Sequence, residues 1–174
     1  MSILKKILTA FCMAAILLGV VGCGSDKSSS SSKADSPKVQ GKYLGMTAQD
    51  FARSYNFTVS KLGKDHLQIV NTEINGRDVI YTIKASECRM GGMVQDGELV
   101  AVMVKGNKSS ADFPVITTSF IAVMDALKNV DGKSVMEQIG QGRTVVENNG
   151  VKFIAAVENS EFTFLTCSAN YNPK

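Results

Sequence analysis

The chain has no tryptophan, a single histidine and few aromatic residues, and its charges are nearly balanced. Without tryptophan and with 7% aromatics, a surface for stacking bases or sugars is not expected. Lysine and arginine number 19 against 16 acidic residues, so no strongly basic face for nucleic acid is predicted. These absences argue against a nucleic-acid partner and against a stacking platform for sugars.

Catalytic motifs are also scarce. His66, next to Asp65, is the one histidine, and a lone loop histidine is more often a solvated side chain than a general base. No Gly-x-Ser-x-Gly elbow accompanies it, no second ligand is spaced for zinc, and the acidic residues are scattered among lysines. We therefore predict a protein that is not an enzyme and needs no cofactor or metal. A small envelope hydrolase using His66 is the alternative.

The amino-terminal stretch carries the strongest signal. Lys5 and Lys6 precede an apolar run from Ile7 to Val21, and Gly22 stands directly before Cys23. A positive region, a short apolar region and a small residue predict a secretory signal peptide over residues 1–22. An uncleaved transmembrane anchor is the alternative, but the run is short for one and no positive stop-transfer cluster follows.

The sequence Val20-Val21-Gly22-Cys23 resembles a bacterial lipobox. The resemblance implies that Cys23 carries a diacylglyceryl group with palmitate-type chains and becomes the first residue of the mature protein. Two acyl chains suffice for stable anchoring. The expected location is therefore the extracytoplasmic face of the cell membrane or of an outer membrane. Residues 23–41, rich in serine, are predicted to be a disordered linker.

Two cysteines remain after the signal peptide and the lipidation site are set aside. Cys12 leaves with the signal peptide, and Cys88 and Cys167 are left in a compartment that permits disulfides. An even remainder predicts one bridge between them, which would stabilise the fold by about 2–4 kcal/mol. Two buried reduced thiols are the alternative.

Residues 42–174 are predicted to form one α+β domain. Thr47 and Asp50 cap a short amphipathic helix, with Met46 and Phe51 as a hydrophobic staple. Strands then flank three turn signals, Asn75-Gly76, Asp96-Gly97 and Asn149-Gly150. Gly91-Gly92 indicates a bulge or a close backbone approach. The result is a set of antiparallel meanders packed on short helices.

The later helices complete this prediction. An apolar helix from Phe113 to about Lys128, capped by Asp112 or Ser110, is expected to be buried, and Ser134 to Glu137 indicates a capping box for a helix that stops at Gly140. The segments around Asn75-Gly76 and Asn149-Gly150 echo each other. Residues 42–107 and 108–174 are therefore either related halves or a coincidence of hairpin chemistry.

Gly45-Met46-Thr47 opening a short helix before a meander resembles small bacterial lipoproteins of the β-lactamase-inhibitor-like type, which include the BamE-like component of barrel assembly. The chain as a whole looks more like uncharacterised Gly-Met-Thr lipoproteins of Firmicute-type bacteria. Tyr55-Asn56-Phe57 replaces the Leu-Gly-x-Pro turn usual in the first group. The resemblance implies a non-catalytic binding or scaffold domain for a protein or envelope partner. A phage exclusion or enzyme-inhibitor lipoprotein is the alternative.

Overall fold

The computed structural model of the chain describes residues 41–109, 111–127 and 129–171. The predicted signal peptide, Cys23, the linker up to residue 40 and the proposed cap Ser110 lie outside these ranges. The described residues therefore cover nearly all of the domain predicted over residues 42–174.

The domain is a seven-stranded antiparallel sheet with three helices packed on it, which confirms the predicted α+β class. The spatial order of the strands is β1-β2-β3-β4-β7-β6-β5. In chain order the elements are α1 (Ala48–Lys61), β1 (Ile69–Asn75), β2 (Asp78–Ile83), β3 (Cys88–Gln95), β4 (Glu98–Asn107), α2 (Phe113–Ala126), α3 (Gly132–Gly140), β5 (Val145–Asn148), β6 (Val151–Glu158) and β7 (Glu161–Ser168).

Helix α1 begins where the sequence predicted. The Thr47 hydroxyl accepts the backbone N–H of Asp50 at 3.1 Å and donates to the Asp50 carboxylate at 2.8 Å. Two hydrogen bonds hold the pKa of the Asp50 carboxyl below its usual value. The one from the Thr47 hydroxyl has the larger effect, and the one from the Arg53 guanidinium adds to it. Phe51 and Tyr55, one turn apart, are both fully buried. The helix therefore presents one apolar face to the sheet, as its spacing requires.

Two of the three hairpin turns form as predicted. Asp96-Gly97 and Asn149-Gly150 are two-residue loops in which both residues have positive φ, as a type I′ turn requires. The first hairpin differs, because Asn75 pairs with Asp78 and the loop is Gly76-Arg77. Only Gly76 has positive φ there, at 63°, so the glycine sits at the first loop position, as in type II′.

A fourth hairpin turn was not predicted from the sequence. Asn159 and Ser160 connect β6 to β7, with φ of 46° and 66°. The second residue of this turn is serine, which does not favour positive φ as glycine does. The dipeptide Asn159-Ser160 is therefore not a recognisable hairpin signal in the sequence.

Helix α2 lies at the centre of the core, as predicted. Its Phe120 stacks on Phe164 with ring centroids 4.3 Å apart and meets Phe153 edge-on at 6.0 Å. Asp112 occupies the position before the first helical residue, but its side chain makes no capping hydrogen bond. Asp112 therefore stands at the predicted N-cap position, but the predicted capping hydrogen bond from its side chain is absent.

Helix α3 begins earlier than the sequence predicted. Asp131 is the N-cap, and its carboxylate accepts the backbone N–H of Ser134 at 3.1 Å. The predicted capping box beginning at Ser134 is therefore wrong, because a cap residue three positions upstream is used instead. The predicted end at Gly140 is confirmed.

Gly92 marks a close backbone approach, as expected. A Cβ there would lie 2.9 Å from the carbonyl oxygen of Ala101, and the register shifts directly afterwards, between Met93 and Val94. Only glycine fits at the contact between these strands.

The last strands of the two proposed halves, β4 and β7, pair at the middle of the sheet. The first half contributes one helix and four strands, and the second contributes two helices and three strands. The strand order is thus symmetric about the β4–β7 pair, but the two halves differ in their numbers of helices and strands.

The sheet has two distinct ends. At one end, which we term the linker end, Gly41 accepts a hydrogen bond from the Ser168 hydroxyl, and Tyr43 and Lys42 bind Asp96 of the β3–β4 turn. The Asn149-Gly150 turn lies at the same end, since Val151 pairs with Ser168. The Asn159-Ser160 turn marks the opposite, far end. Along β6 the two ends are separated by about 23 Å, at roughly 3.3 Å per residue.

Candidate functional site

A cleft of about 480 Å³ opens at the far end of the sheet, beside β6. Strand β5 pairs with β6 only as far as Val145 with Ile154, and the Thr144 carbonyl then accepts the N–H of Ala155. Beyond this point, the described residues place no strand against the β5 side of β6. The cleft occupies the position that a longer β5 would fill.

The lining shows that the cleft lies beside a strand edge. All of residues 154–158 line it, although successive residues of a strand point to opposite faces of a sheet. A space that touches five consecutive residues must therefore run along the edge of the strand. The remaining lining residues are Ile139, Gly142, Arg143, Thr144, Phe162 and Phe164.

The floor of the cleft belongs to the core. Phe164 stacks on Phe120 of α2, and Phe162 lies against Phe113 with ring centroids 4.8 Å apart. Both phenylalanines of β7 are about 4% exposed. Aromatic pairs of this kind favour one fixed arrangement of the rings, so the cleft has a rigid apolar base.

The wall of the cleft is the end of α3 and the loop after it. Gly142 has φ of 93°, which a residue with a side chain rarely adopts. Arg143 is held to the helix by its backbone N–H to the Gln138 carbonyl at 3.1 Å and its guanidinium to the Gln138 side chain at 3.0 Å. Arg143 and Glu158 are the charged residues of the lining. The site can therefore accept an apolar, extended group with polar atoms at its margin.

The predicted disulfide between Cys88 and Cys167 is not formed. Both are free cysteines, each about 4% exposed. Burial raises the pKa of each thiol above its ordinary value, and the Ser119 hydroxyl, 3.5 Å from the Cys88 sulfur, acts in the opposite direction. The alternative of two buried reduced thiols is what the structure contains.

Strand register explains why the bridge fails. Cys88 is opposite Gly106 of β4, and Cys167 is opposite Ala101 on the other side of the same strand. The cysteines are thus five positions apart along β4, about 17 Å, and two strand spacings apart across it. A disulfide requires Cα atoms within about 6.8 Å. The two cysteines also lie on opposite faces of the sheet. Cys88 contacts Ser119 of α2, so it is on the helix-covered face. Phe164 of β7 is on that face too, and Cys167, three residues later in the strand, points to the other face.

His66 lies in a short 3₁₀ turn, Asp65–Leu67, and is exposed. The neighbouring Asp65 carboxylate accepts from the Ser60 hydroxyl at 2.7 Å and from the Gln68 amide at 3.0 Å. The turn that contains His66 leads into β1, at the opposite edge of the sheet from β6 and the cleft. His66 is therefore not part of the cleft.

Within the described ranges, no group of three or more histidine, cysteine, aspartate or glutamate side chains could hold a metal ion. Among the same residues, no helix is both long enough and apolar enough to cross a membrane. Comparison with protein families, with curated proteins and with solved structures gives no match for this chain.

Sequence reasoning missed the cleft. Its lining comes from α3, the loop after it, β6 and β7, and what creates it is the difference in length between β5, with four residues, and β6, with eight. The one available signal was the short apolar pair Val145-Val146 between polar neighbours, next to the longer alternating run of β6.

Proposed function

We propose that the chain is an extracytoplasmic lipoprotein, anchored through Cys23, whose folded domain binds an extended segment of a partner protein or envelope component in the cleft beside β6. The observation that carries this proposal is the apolar cleft along an unpaired stretch of strand edge. In this proposal the cleft binds its partner through apolar contacts and backbone hydrogen bonds and carries out no reaction.

The chemistry of the cleft supports an extended apolar occupant. Because Ala155 donates its N–H toward β5, the next residue with the same orientation is Val157, whose backbone groups face the cleft. A partner strand that enters there can hydrogen-bond to that edge while its side chains rest on Ile139 and Phe164. This is recognition by strand addition, in which backbone bonds hold the ligand and alternate side chains select it.

The position of the cleft supports presentation away from a membrane. The described chain begins at the linker end, where Gly41 meets Ser168, and the cleft is at the far end. A tether that reaches the domain at residue 41 would thus leave the cleft on the side remote from the anchor.

The anchor is tested by mass spectrometry of the cellular protein. We expect the amino-terminal peptide to begin at Cys23 and to carry a diacylglyceryl mass, because the lipobox-like residues direct both modification and cleavage. Growth with an alkyne-bearing palmitate should label the wild-type chain and leave Cys23→Ser unlabelled. A mature protein that retains residues 1–22, or an unmodified Cys23, would refute the anchor.

The cleft is tested by a photo-crosslinking amino acid placed at residue 144. Thr144 is exposed at the rim of the cleft, so a bound partner lies within reach of the probe, and we expect discrete adducts in whole cells. The same probe at Ser86, which is also exposed, is the matched control and should give none of these adducts.

A third variant ties the adducts to the cleft itself. Ala155→Trp fills the space over Phe164 and should remove the adducts formed from residue 144 while Cys23 remains lipidated. If the probes at 144 and 86 give the same adducts, or if Ala155→Trp leaves them unchanged, the cleft does not bind the partner.

A further inference from the structure

The cleft beside β6 is closed at one end by the chain that leads into β5. Thr144 accepts a hydrogen bond from the N–H of Ala155, so the chain follows the line of β5 as far as this pair. Arg143 lies off that line, because its backbone N–H binds the Gln138 carbonyl of α3 at 3.1 Å. A bound segment that follows β6 in the plane of the sheet therefore meets Thr144 and cannot continue past it.

The unpaired stretch of β6 offers few backbone groups. Asn148 and Val151 flank a two-residue loop, so they exchange hydrogen bonds, and every second residue of β6 repeats this orientation. Beyond Ala155, the described residues of β6 include one more in this orientation, Val157, before the strand ends at Glu158. A bound strand can thus exchange one pair of backbone bonds, and other contacts must supply the rest of its affinity.

The two charged residues of the lining stand at opposite ends of this short edge. Arg143 is exposed at the closed end, next to Thr144. Its guanidinium donates to the Gln138 side chain at 3.0 Å, and a guanidinium has five N–H donors in all. Glu158, also exposed, is the last residue of β6 at the open end. The cleft is therefore positive where it is closed and negative where it is open.

Given the function proposed above, on which this inference rests, we propose that the cleft binds the carboxyl-terminal end of a partner chain. The terminal residue lies opposite Val157, and its carboxylate accepts the Val157 N–H and pairs with the Arg143 guanidinium. Charge-assisted hydrogen bonds are about twice as strong as neutral ones, which compensates for the short edge.

Charge selects this chain direction over the reverse. A segment antiparallel to β6 runs from the far end toward Thr144, in the same direction as β5, so its carboxyl end reaches Arg143. A parallel segment would bring its amino terminus to Arg143 instead, and two positive charges repel each other there. A carboxyl terminus is thus the chain end that matches the closed end of the cleft.

The same register indicates the last two side chains of the partner. Val157 pairs with Phe162, whose ring contacts Phe113 of α2, so Val157 is on the helix-covered face. The terminal side chain shares this face, where Ile139 and Phe162 line the cleft, and a large apolar residue fits. The penultimate residue lies opposite Glu158 on the other face, where lysine or arginine is favoured. The ligand class is a chain that ends in a basic and then a large apolar residue.

The test measures binding of a defined probe, fluorescein-Ser-Thr-Val-Lys-Phe, to the full chain in phospholipid nanodiscs by fluorescence anisotropy. The free acid should bind about ten-fold tighter than the carboxamide, because the amide lacks the charge that Arg143 binds. Arg143→Gln should remove this difference. Lys133→Gln is the matched control, since it removes an exposed positive charge from the first turn of α3, and it should leave the difference unchanged.

A charge reversal tests the register. Glutamate in place of the penultimate lysine should weaken binding to the wild-type chain by about three-fold, and Glu158→Lys should reverse this preference. A carboxyl-terminal ligand is ruled out if acid and amide bind alike, if neither binds, or if Arg143→Gln and Lys133→Gln act alike. Adducts from residue 144 that map to an internal segment of the partner would also rule it out and leave the proposed function intact. Failure of the proposed function shows separately, as identical adducts from residues 144 and 86.

Discussion

Replacing Phe120 by alanine should lower the free energy of unfolding by about 3–5 kcal/mol, as expected for an aromatic residue removed from a packed core. Phe120 is fully buried, stacked on Phe164 at 4.3 Å and edge-on to Phe153 at 6.0 Å. Its ring therefore joins α2 to the two strands that border the cleft. Since a domain of this size is typically stable by about 5–15 kcal/mol, the loss is a large fraction of the total.

The measurement is the midpoint of guanidinium unfolding followed by circular dichroism. Phe57→Ala is the control, because a ring that is 73% exposed contributes little, and a change within about 0.5 kcal/mol is expected. The same Phe120 variant should also lose adducts from a probe at residue 144, because Phe164 no longer has a partner ring beneath it. Equal midpoints for the two alanine variants would contradict the proposed packing.

Local signals in the sequence predicted the elements well. Thr47, Asp50 and the Asn-Gly or Asp-Gly turns act through bonds to residues within four positions, and the structure uses them close to where they stand. The errors are also local. Gly76 takes the first loop position in its hairpin, and Asp131, three residues before Ser134, is the cap that the helix uses.

Long-range pairing could not be predicted in the same way. The two parts of the sheet are joined at its centre by the pairing of β4 with β7. The paired residues Ala101 and Cys167 are far apart in the chain. That pairing fixes the distance between Cys88 and Cys167, so counting cysteines could not reveal that they lie on opposite faces. The even number of cysteines predicted a bridge that the strand register forbids.

The cleft was missed for the same reason. Alternation predicted that residues 151–157 form a strand, and it predicted a strand near Thr144 to Glu147, but it could not say how much of one is paired with the other. The four residues of β6 that extend beyond its pairing with β5 reflect the relative lengths and register of two strands, which no local pattern encodes. The proposed binding site therefore depends on strand register more than on any single sequence motif.

Replacing Gly106 by alanine should also destabilise the domain, by about 1–3 kcal/mol or more, through crowding. A Cβ at this position would lie 2.5 Å and 2.6 Å from two side-chain carbons of Ile116 and 2.7 Å from the backbone oxygen of Glu87. The φ of Gly106 is not positive, so the cost is steric. Because Gly106 pairs with Phe162, relief by an outward shift of α2 would also disturb the floor of the cleft.

Two comparisons separate this crowding from a general loss of a strand glycine. Gly91→Ala places a Cβ 3.3 Å from the Val79 carbonyl oxygen and should cost clearly less in guanidinium unfolding. Adding Ile116→Val to Gly106→Ala removes one of the two crowded carbons and should restore part of the lost stability, whereas Ile116→Val alone should destabilise by about 0.5–1.5 kcal/mol. Additive effects of the two substitutions would show that Gly106 and Ile116 do not share the contact, and the seating of α2 on β4 would need another explanation.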